Sequence, residues 1–116
     1  PSAVSSVRSA HLLRVERFIR DNLKNPALTP DLIAQSCGIS KRYLHDLFKD
    51  VNGTVSQQIR DHRLTAARDR LAASRGITIA EVAYRFGFAD QAQFSRLFKS
   101  RFGLTPSEFQ RQSKDL

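Results

Sequence analysis

Two short segments of the chain concentrate side chains that can hydrogen-bond to the edges of DNA bases. Arginine suits guanine, glutamine suits adenine, and a short hydroxyl group suits either base. Such residues and cationic neighbours fall on the outer faces of two predicted helices: Arg42, His45 and Lys49 in the first, and Gln91, Gln93, Ser95, Arg96 and Lys99 in the second. This pattern favours contact of both helices with double-stranded DNA.

The two lysines are predicted to contact phosphate groups. Lys49 and Lys99 each follow a buried phenylalanine late in their helix, where a side chain reaches a phosphate more easily than a base edge. Two alternatives stay open for Arg63, which either touches a phosphate or ties its own helix to a neighbouring one. The predicted phosphate contacts are Ser40, Lys41, Lys49, Arg63 and Lys99.

The overall charge agrees with a polyanionic partner. Among 116 residues, Lys and Arg number 19 and Asp and Glu number 11, which gives a formal net charge of +8. Each phosphate that such a protein neutralises releases a condensed counterion. Hydrophobic residues make up 41% of the chain, which is ordinary for a globular protein and too high for a disordered tail. The length predicts one compact domain or two very small lobes.

The sequence offers no catalytic or metal-binding arrangement. It contains no Ser-His-Asp set, pair of carboxylates or glycine-rich phosphate loop, and no His, Cys or carboxylate residues at metal-ligand spacing. Cys37, the single cysteine, is interpreted as a small core residue that forms no internal disulfide. We therefore expect a protein that is not an enzyme and uses no cofactor or metal.

A repeated pattern positions these side chains. A small residue, a turn glycine, a Leu-Phe-Lys run and a closing glycine occur twice in that order, with one residue inserted in the second turn. Ala34 and Ala83 allow two helices to cross closely, and Gly38 and Gly87 allow a left-handed backbone where the chain reverses. Each copy therefore predicts a helix-turn-helix.

The remaining signals predict an all-α fold of about seven helices. The first helix is expected to end at Asn25-Pro26, because proline disfavours helical geometry in the residue before it. The helix after Ser40 is expected to run through Val51 and to end at Asn52-Gly53. The residues predicted to cap helices are Thr29, Ser40, Thr78 and Thr105.

The chain is predicted to divide into three segments. They are a linker remnant at 1–7, a DNA-binding domain at 8–110 and a C-terminal tail at 111–116; within the domain, the first helix-turn-helix covers about 29–53, the spacer helix about 55–74 and the second helix-turn-helix about 78–103. At about 1.5 Å per residue the spacer helix spans about 30 Å, and successive major-groove segments recur about every 34 Å on one side of DNA. We expect one polypeptide to read two adjacent segments.

The ends of the chain carry further expectations. The sequence contains no methionine, so Pro1 is not expected to be a native start, and an upstream effector or dimerisation domain is predicted. No segment approaches the run of about 20 apolar residues that a membrane span needs, and the first residues lack the core of a signal peptide. A cytoplasmic, nucleoid-associated location is therefore expected.

The chain resembles the C-terminal DNA-binding domain of the AraC/XylS family of bacterial transcription regulators. The second motif carries most of this resemblance, the first motif matches more loosely, and the spacer matches at 63–64, 67–68 and Leu71. The matching residues of the second motif are 79–83, 87–88, Asp90, 94–96, 98–99, 102–103 and 105–106.

The resemblance implies a seven-helix domain that places both recognition helices in the major groove and recruits RNA polymerase. By position it assigns base reading to Arg42, His45 and Asp46 in the first motif and to Gln91, Ala92, Gln93, Ser95 and Arg96 in the second. Asp46 is acidic where a base-reading cation is expected. Three alternatives stay open: Asp46 accepts a hydrogen bond from cytosine, pairs with Arg42 across a helical turn, or weakens the grip of the first motif.

Two other functions fit the same composition. One is an adaptor that uses its basic helices on a protein partner, such as an RNA polymerase subunit, and has only weak DNA affinity. The other is a non-specific nucleoid binder, which would show no preference over random competitor DNA.

Overall fold

The computed structural model describes residues 3–51 and 53–114, and this part of the chain is all-α as predicted, with seven helices and no strand. The helices are α1 (Ala3–Asp21), α2 (Pro30–Cys37), α3 (Lys41–Leu47), α4 (Val55–Ala73), α5 (Ile79–Arg85), α6 (Gln91–Phe102) and α7 (Pro106–Lys114). Asn52, part of the predicted end of the third helix, lies outside the described residues.

The chain divides into two compact units, Pro1–His62 and Arg63–Leu116, and the division falls within α4. The first unit contains α1, α2, α3 and the beginning of α4. Its helices bury apolar residues that recur at helical spacing in the sequence. The core of this unit is formed by Val15, Ile19, Leu28, Ile33, Ala34, Cys37, Leu44, Leu47, Phe48, Val55 and Ile59.

The second unit contains the remainder of α4 with α5, α6 and α7, and its core is rich in phenylalanine. Phe94 and Phe98 are fully buried, and Phe94 packs against Phe88 with 4.9 Å between ring centroids. The tilted ring arrangement is one that aromatic pairs prefer. The buried phenylalanines of this unit therefore belong to its apolar core.

Capping residues fix where four of the helices begin, and three of them, Thr29, Ser40 and Thr78, are those that the sequence predicts. The side-chain oxygens of Thr29, Ser40, Thr78 and Asp90 each accept a hydrogen bond from a backbone N–H in the first turn of α2, α3, α5 and α6. These bonds satisfy donors that a helix cannot pair internally. At the other end of α2, Gly38 adopts a φ of 68°, in the left-handed region that favours glycine.

Helix α1 differs from its prediction at both ends. Residues 3–7, predicted as a linker remnant, belong to the first turns of α1, because no proline or glycine interrupts the sequence there. The helix then ends at Asp21, before the predicted Asn25-Pro26. Asn22 accounts for this earlier end, since its side-chain Nδ2 donates to the Phe18 carbonyl at 2.8 Å and its backbone N–H bonds to Ile19 three residues back.

Helix α3 is shorter than predicted, ending at Leu47 rather than near Val51. The N–H groups of Lys49 and Val51 bond to carbonyls three residues earlier, at 3.3 and 3.1 Å. This tighter pattern is common where a helix ends. Lys49 therefore lies in the turn after α3 rather than on the helix itself.

Helix α7 extends further than predicted and includes 111–114 of the expected C-terminal tail. Its start is fixed by a reciprocal pair of bonds, in which Thr105 Oγ1 accepts from the Glu108 N–H and Glu108 Oε1 accepts from the Thr105 N–H, at 3.1 and 3.0 Å. Among the residues the structure describes, no helix combines the length and the apolar character needed to cross a membrane.

Candidate nucleic-acid interface

Helix α3 turns its polar side chains outward because Leu44 and Leu47 are buried in the core of the first unit. Arg42 and His45 are both exposed. Lys49 is also exposed, and with His45 it lines an open cleft at the start of α4. The N-terminus of a helix carries partial positive charge, so a cleft that also holds a lysine suits an anion.

The predicted phosphate contacts at the start of α3 are also accessible. Ser40 Oγ accepts a hydrogen bond from the Tyr43 N–H at 3.0 Å, which leaves its hydroxyl hydrogen free to donate. Lys41 Nζ lies 3.1 Å from Asp31 Oδ1, and both side chains are well exposed. Exposed pairs of this kind contribute little to stability, so a phosphate can take the place of the Asp31 carboxylate.

Asp46 is engaged within the protein. Its Oδ2 accepts from Arg8 Nη1 at 2.7 Å, and its Oδ1 lies 3.3 Å from Lys49 Nζ. Of the three alternatives for Asp46, a pair with Arg42 is therefore not the one observed. The partners are a more distant arginine from α1 and a lysine three residues along the chain.

Acid is expected to weaken the contribution of Asp46 to stability. The Arg8 guanidinium, followed by the Lys49 ammonium, holds the pKa of the Asp46 carboxyl below its ordinary value of 3.8. A carboxyl whose pKa is lower in the folded protein than in the unfolded chain stabilises the fold at pH values above the unfolded pKa. This stabilisation is lost as the pH falls through the pKa of the folded protein. Below about pH 4 the melting temperature of the wild type, followed by circular dichroism, should therefore fall more steeply than that of Asp46→Asn. Parallel curves would contradict this prediction.

Helix α6 exposes most of the predicted readers of the second motif. Phe94 and Phe98, both fully buried, anchor one side of the helix. The opposite side is exposed and carries Ala92, Arg96 and Lys99 at helical spacing, so these three share one face. Of the other predicted readers, Gln91 and Gln93 are exposed and Ser95 is half-buried at the edge of this face.

Arg63 lies in α4, where its guanidinium packs against the turn between α5 and α6. A Cβ added to Gly87 in that turn would lie 2.9 Å from Arg63 Cζ and 3.1 Å from its Nε. Burial lowers the pKa of the Arg63 guanidinium, which agrees with a half-buried position. Of the two alternatives for Arg63, this geometry favours the one in which it ties α4 to a neighbouring element.

Gly87→Ala is expected to destabilise the protein more than Gly38→Ala. Both glycines have positive φ, 87° and 68°, so alanine costs about 1–2 kcal/mol at either position. Only at Gly87 must the new methyl group also displace the Arg63 guanidinium, since nothing lies within 4 Å of the Cβ position at Gly38. Chemical denaturation measures the loss in free energy of unfolding for each variant. The difference between the two losses should shrink when Arg63→Ala is added to Gly87→Ala. Equal losses would show that the Arg63 contact is unimportant.

Three functional candidates in α1 have no signal in the sequence pattern. Arg8 contacts Asp46, His11 contacts Tyr43, and Arg14 donates to the backbone carbonyl of Cys37. The partners are separated by 23 to 38 residues along the chain. Local spacing cannot reveal such pairs, and only the packing of α1 against α2 and α3 brings them together.

Comparison with known proteins identifies similar chains. A family model described as "Helix-turn-helix domain" matches residues 33–112. The transcriptional activator NphR from Rhodococcus sp is 36% identical over 111 residues, which cover 96% of this chain and 33% of that protein. This chain therefore spans about a third of the length of that relative.

Two further comparisons cover more of the matched protein. The probable transcription factor PqrA from Proteus vulgaris is 37% identical over 87 residues, covering 74% of this chain and 70% of that protein. A solved transcriptional regulator from Chromobacterium violaceum, described as having an AraC-type DNA-binding domain, superposes with a TM-score of 0.81 at 26% identity. The alignment covers 97% of this chain and 96% of that one.

Proposed function

The chain belongs to the AraC family of helix-turn-helix transcription regulators, and from this premise we propose that it binds specific double-stranded DNA sites through α3 and α6. It is a DNA-binding domain and not an enzyme. The observation that carries the proposal is the exposed face of α6, where Ala92, Arg96 and Lys99 stand opposite the buried Phe94 and Phe98. An exposed arginine on that face has no packing role to fulfil, so recognition explains it best.

The residues divide by role in this proposal. Base edges are read by Arg42 and His45 from α3 and by Gln91, Ala92, Gln93, Ser95 and Arg96 from α6. Phosphates are contacted by Ser40, Lys41, Lys49 and Lys99, and the exposure of these four side chains supports that role. Arg63 is assigned to holding the turn at Gly87 instead, because its guanidinium is packed there.

We further propose that the two motifs read adjacent segments of the major groove. Their scaffold residues correspond closely, whereas their exposed residues differ at almost every position. Two readers with different side chains recognise different base pairs, so a single chain would specify a longer and asymmetric site. The second motif is the stronger reader in this proposal, since α6 carries more of the proposed base-reading side chains than α3.

Contact with RNA polymerase belongs to the proposal as well. The family resemblance implies it, and the Rhodococcus relative is named a transcriptional activator. An effector or dimerisation domain upstream of this chain and a cytoplasmic, nucleoid-associated location stay predictions of the same kind.

Selection of bound sequences from a random pool of DNA duplexes tests the function directly. We expect two enriched half-sites whose centres lie about one helical turn, about 34 Å, apart. If only one half-site emerges, it should depend on α6, which comparison of Arg96→Ala with Arg42→Ala would reveal. No enrichment over the starting pool would contradict specific binding and favour either the nucleoid binder or the adaptor.

A further inference from the structure

One side of α1 carries a row of three polar contacts to the helix-turn-helix of the first unit. Arg8, His11 and Arg14 recur every three residues and so lie along one face of the helix. Arg8 reaches Asp46, the His11 Nδ1 and the Tyr43 hydroxyl share a hydrogen bond of 2.8 Å, and Arg14 donates to the Cys37 carbonyl. The first two contacts end on α3 and the third on the last residue of α2.

Arg8 makes two hydrogen bonds to Asp46. Its Nη1 donates to the Asp46 carboxylate at 2.7 Å, and its Nη2 donates to the backbone carbonyl of the same residue at 2.5 Å. One planar guanidinium therefore holds both the side chain and the main chain of a single helical position. Arginine is suited to this geometry because its donors are arranged in a fixed fork.

The Asp46 carboxylate is thereby neutralised at both oxygens. Oδ2 faces Arg8, and Oδ1 faces Lys49 at 3.3 Å. Asp46 follows the exposed His45 directly and stands one helical turn after Arg42, so its charge lies beside the residues proposed to read bases. An unpaired carboxylate at this place would repel the phosphate backbone of DNA.

We infer that Arg8 is a positioning residue for the first recognition helix, holding α3 in register and withdrawing Asp46 from base recognition. This inference rests on the proposed function. It leaves Arg42 and His45 as the base readers of the first motif and assigns specificity to a residue of α1 that need not touch a base. It assigns Asp46 to none of the three earlier alternatives and makes it a structural partner of Arg8.

A double-mutant cycle tests the inference with Arg8→Ala, Asp46→Ala and the combination of both. Arg17→Ala is the matched control, because Arg17 is an exposed arginine of α1 and its loss changes the net charge equally. Affinity is measured on the site selected from the random pool and on random duplex, with circular dichroism to verify helix content. Sequence selection is then repeated with each variant.

Arg8→Ala is expected to weaken binding to the selected site about threefold beyond the Arg17→Ala control, because Asp46 then keeps only Lys49 as a partner and its charge is less well neutralised. When Asp46→Ala is already present, Arg8→Ala should reduce affinity for the selected site no more than Arg17→Ala does. Base preference should relax in the half-site read by α3 and stay unchanged in the half-site read by α6. A role in folding alone would not confine the change to one half-site.

The results that contradict the positioning role differ from those that contradict the proposed DNA binding. The positioning role is wrong if Arg8→Ala lowers DNA affinity equally with and without Asp46. It is also wrong if Arg8→Ala matches Arg17→Ala in both affinity and base preference. Specific DNA binding stands in either case. If the wild type enriches no sequence, the proposed function is wrong and the inference falls with it. If relaxed preference extends equally to both half-sites, Arg8 acts on the whole protein and not on α3.

Discussion

Phe98→Ala is expected to lower the free energy of unfolding of the second unit by about 3–5 kcal/mol. Phe98 is fully buried in α6, and its ring packs against those of Phe94, Phe102 and Phe109 with centroid distances of 5.7, 4.7 and 5.8 Å. Alanine would remove the centre of this aromatic cluster and leave a cavity among three rings. The loss is near the stability of a small domain, so the variant should unfold this unit well below the melting temperature of the wild type.

Amide hydrogen exchange locates the effect, since the apolar cores of the two units share no residue. Protection should fall across 63–114 and persist in α1, α2 and α3. Phe48→Ala is the matched control, because Phe48 precedes Lys49 as Phe98 precedes Lys99 and is also buried, at 3% exposure. Its effect should appear in the first unit instead. A uniform loss of protection in both variants would contradict the assignment of two separate cores.

The parts of the fold that could be predicted depend on chemistry within a few residues. A threonine or serine that caps a helix and a glycine with positive φ act on neighbouring backbone, so the starts of α2, α3 and α5 follow from the sequence. The ends of α1 and α3 were harder to predict because they depend on competition among several weak signals. At α1 a side-chain bond from Asn22 ends the helix before the proline that the pattern favours.

The candidate site likewise has features that local sequence predicts and features that only tertiary packing determines. Helical spacing predicts the outward position of Arg96 and Lys99, opposite the buried phenylalanines of α6. It also places Ser95 outward, where the structure has it half-buried, and the exposed Ala92 was assigned by the family resemblance instead. The partner of Asp46 could not be predicted, because Arg8 is 38 residues away in a different helix. Such a contact depends on how helices pack.

Arg63 illustrates an intermediate case. Its position in the spacer allowed either a phosphate contact or a packing role, and no sequence signal decides between a charged group that points outward and one that is half-buried. The absence of a side chain at Gly87 leaves room for the guanidinium, so the same glycine that permits the turn also admits Arg63. The two residues are linked only through the folded structure.

Arg96→Ala is expected to produce the largest loss of sequence-specific DNA binding of any single change on α6. A bidentate contact between arginine and guanine discriminates by about 1–3 kcal/mol, which corresponds to about 5- to 150-fold in affinity. Affinity for random duplex should fall far less, so the ratio of specific to random binding decreases. Arg96→Lys keeps the charge without the forked donors, and it should therefore recover affinity for random DNA and not the specificity.

Two further variants separate base reading from charge. Lys99→Ala should weaken binding to all duplexes alike and reduce the slope of log affinity against log salt by about 0.9, because one phosphate contact is lost. Arg111→Ala removes an exposed cation of the same unit from α7, outside the reading face, and should leave the specificity ratio unchanged. If Arg96→Ala behaves like Arg111→Ala, α6 is not the reading helix. If Arg96→Ala and Lys99→Ala both leave affinity for every duplex unchanged, the exposed face of α6 serves a protein partner instead, as the adaptor function requires.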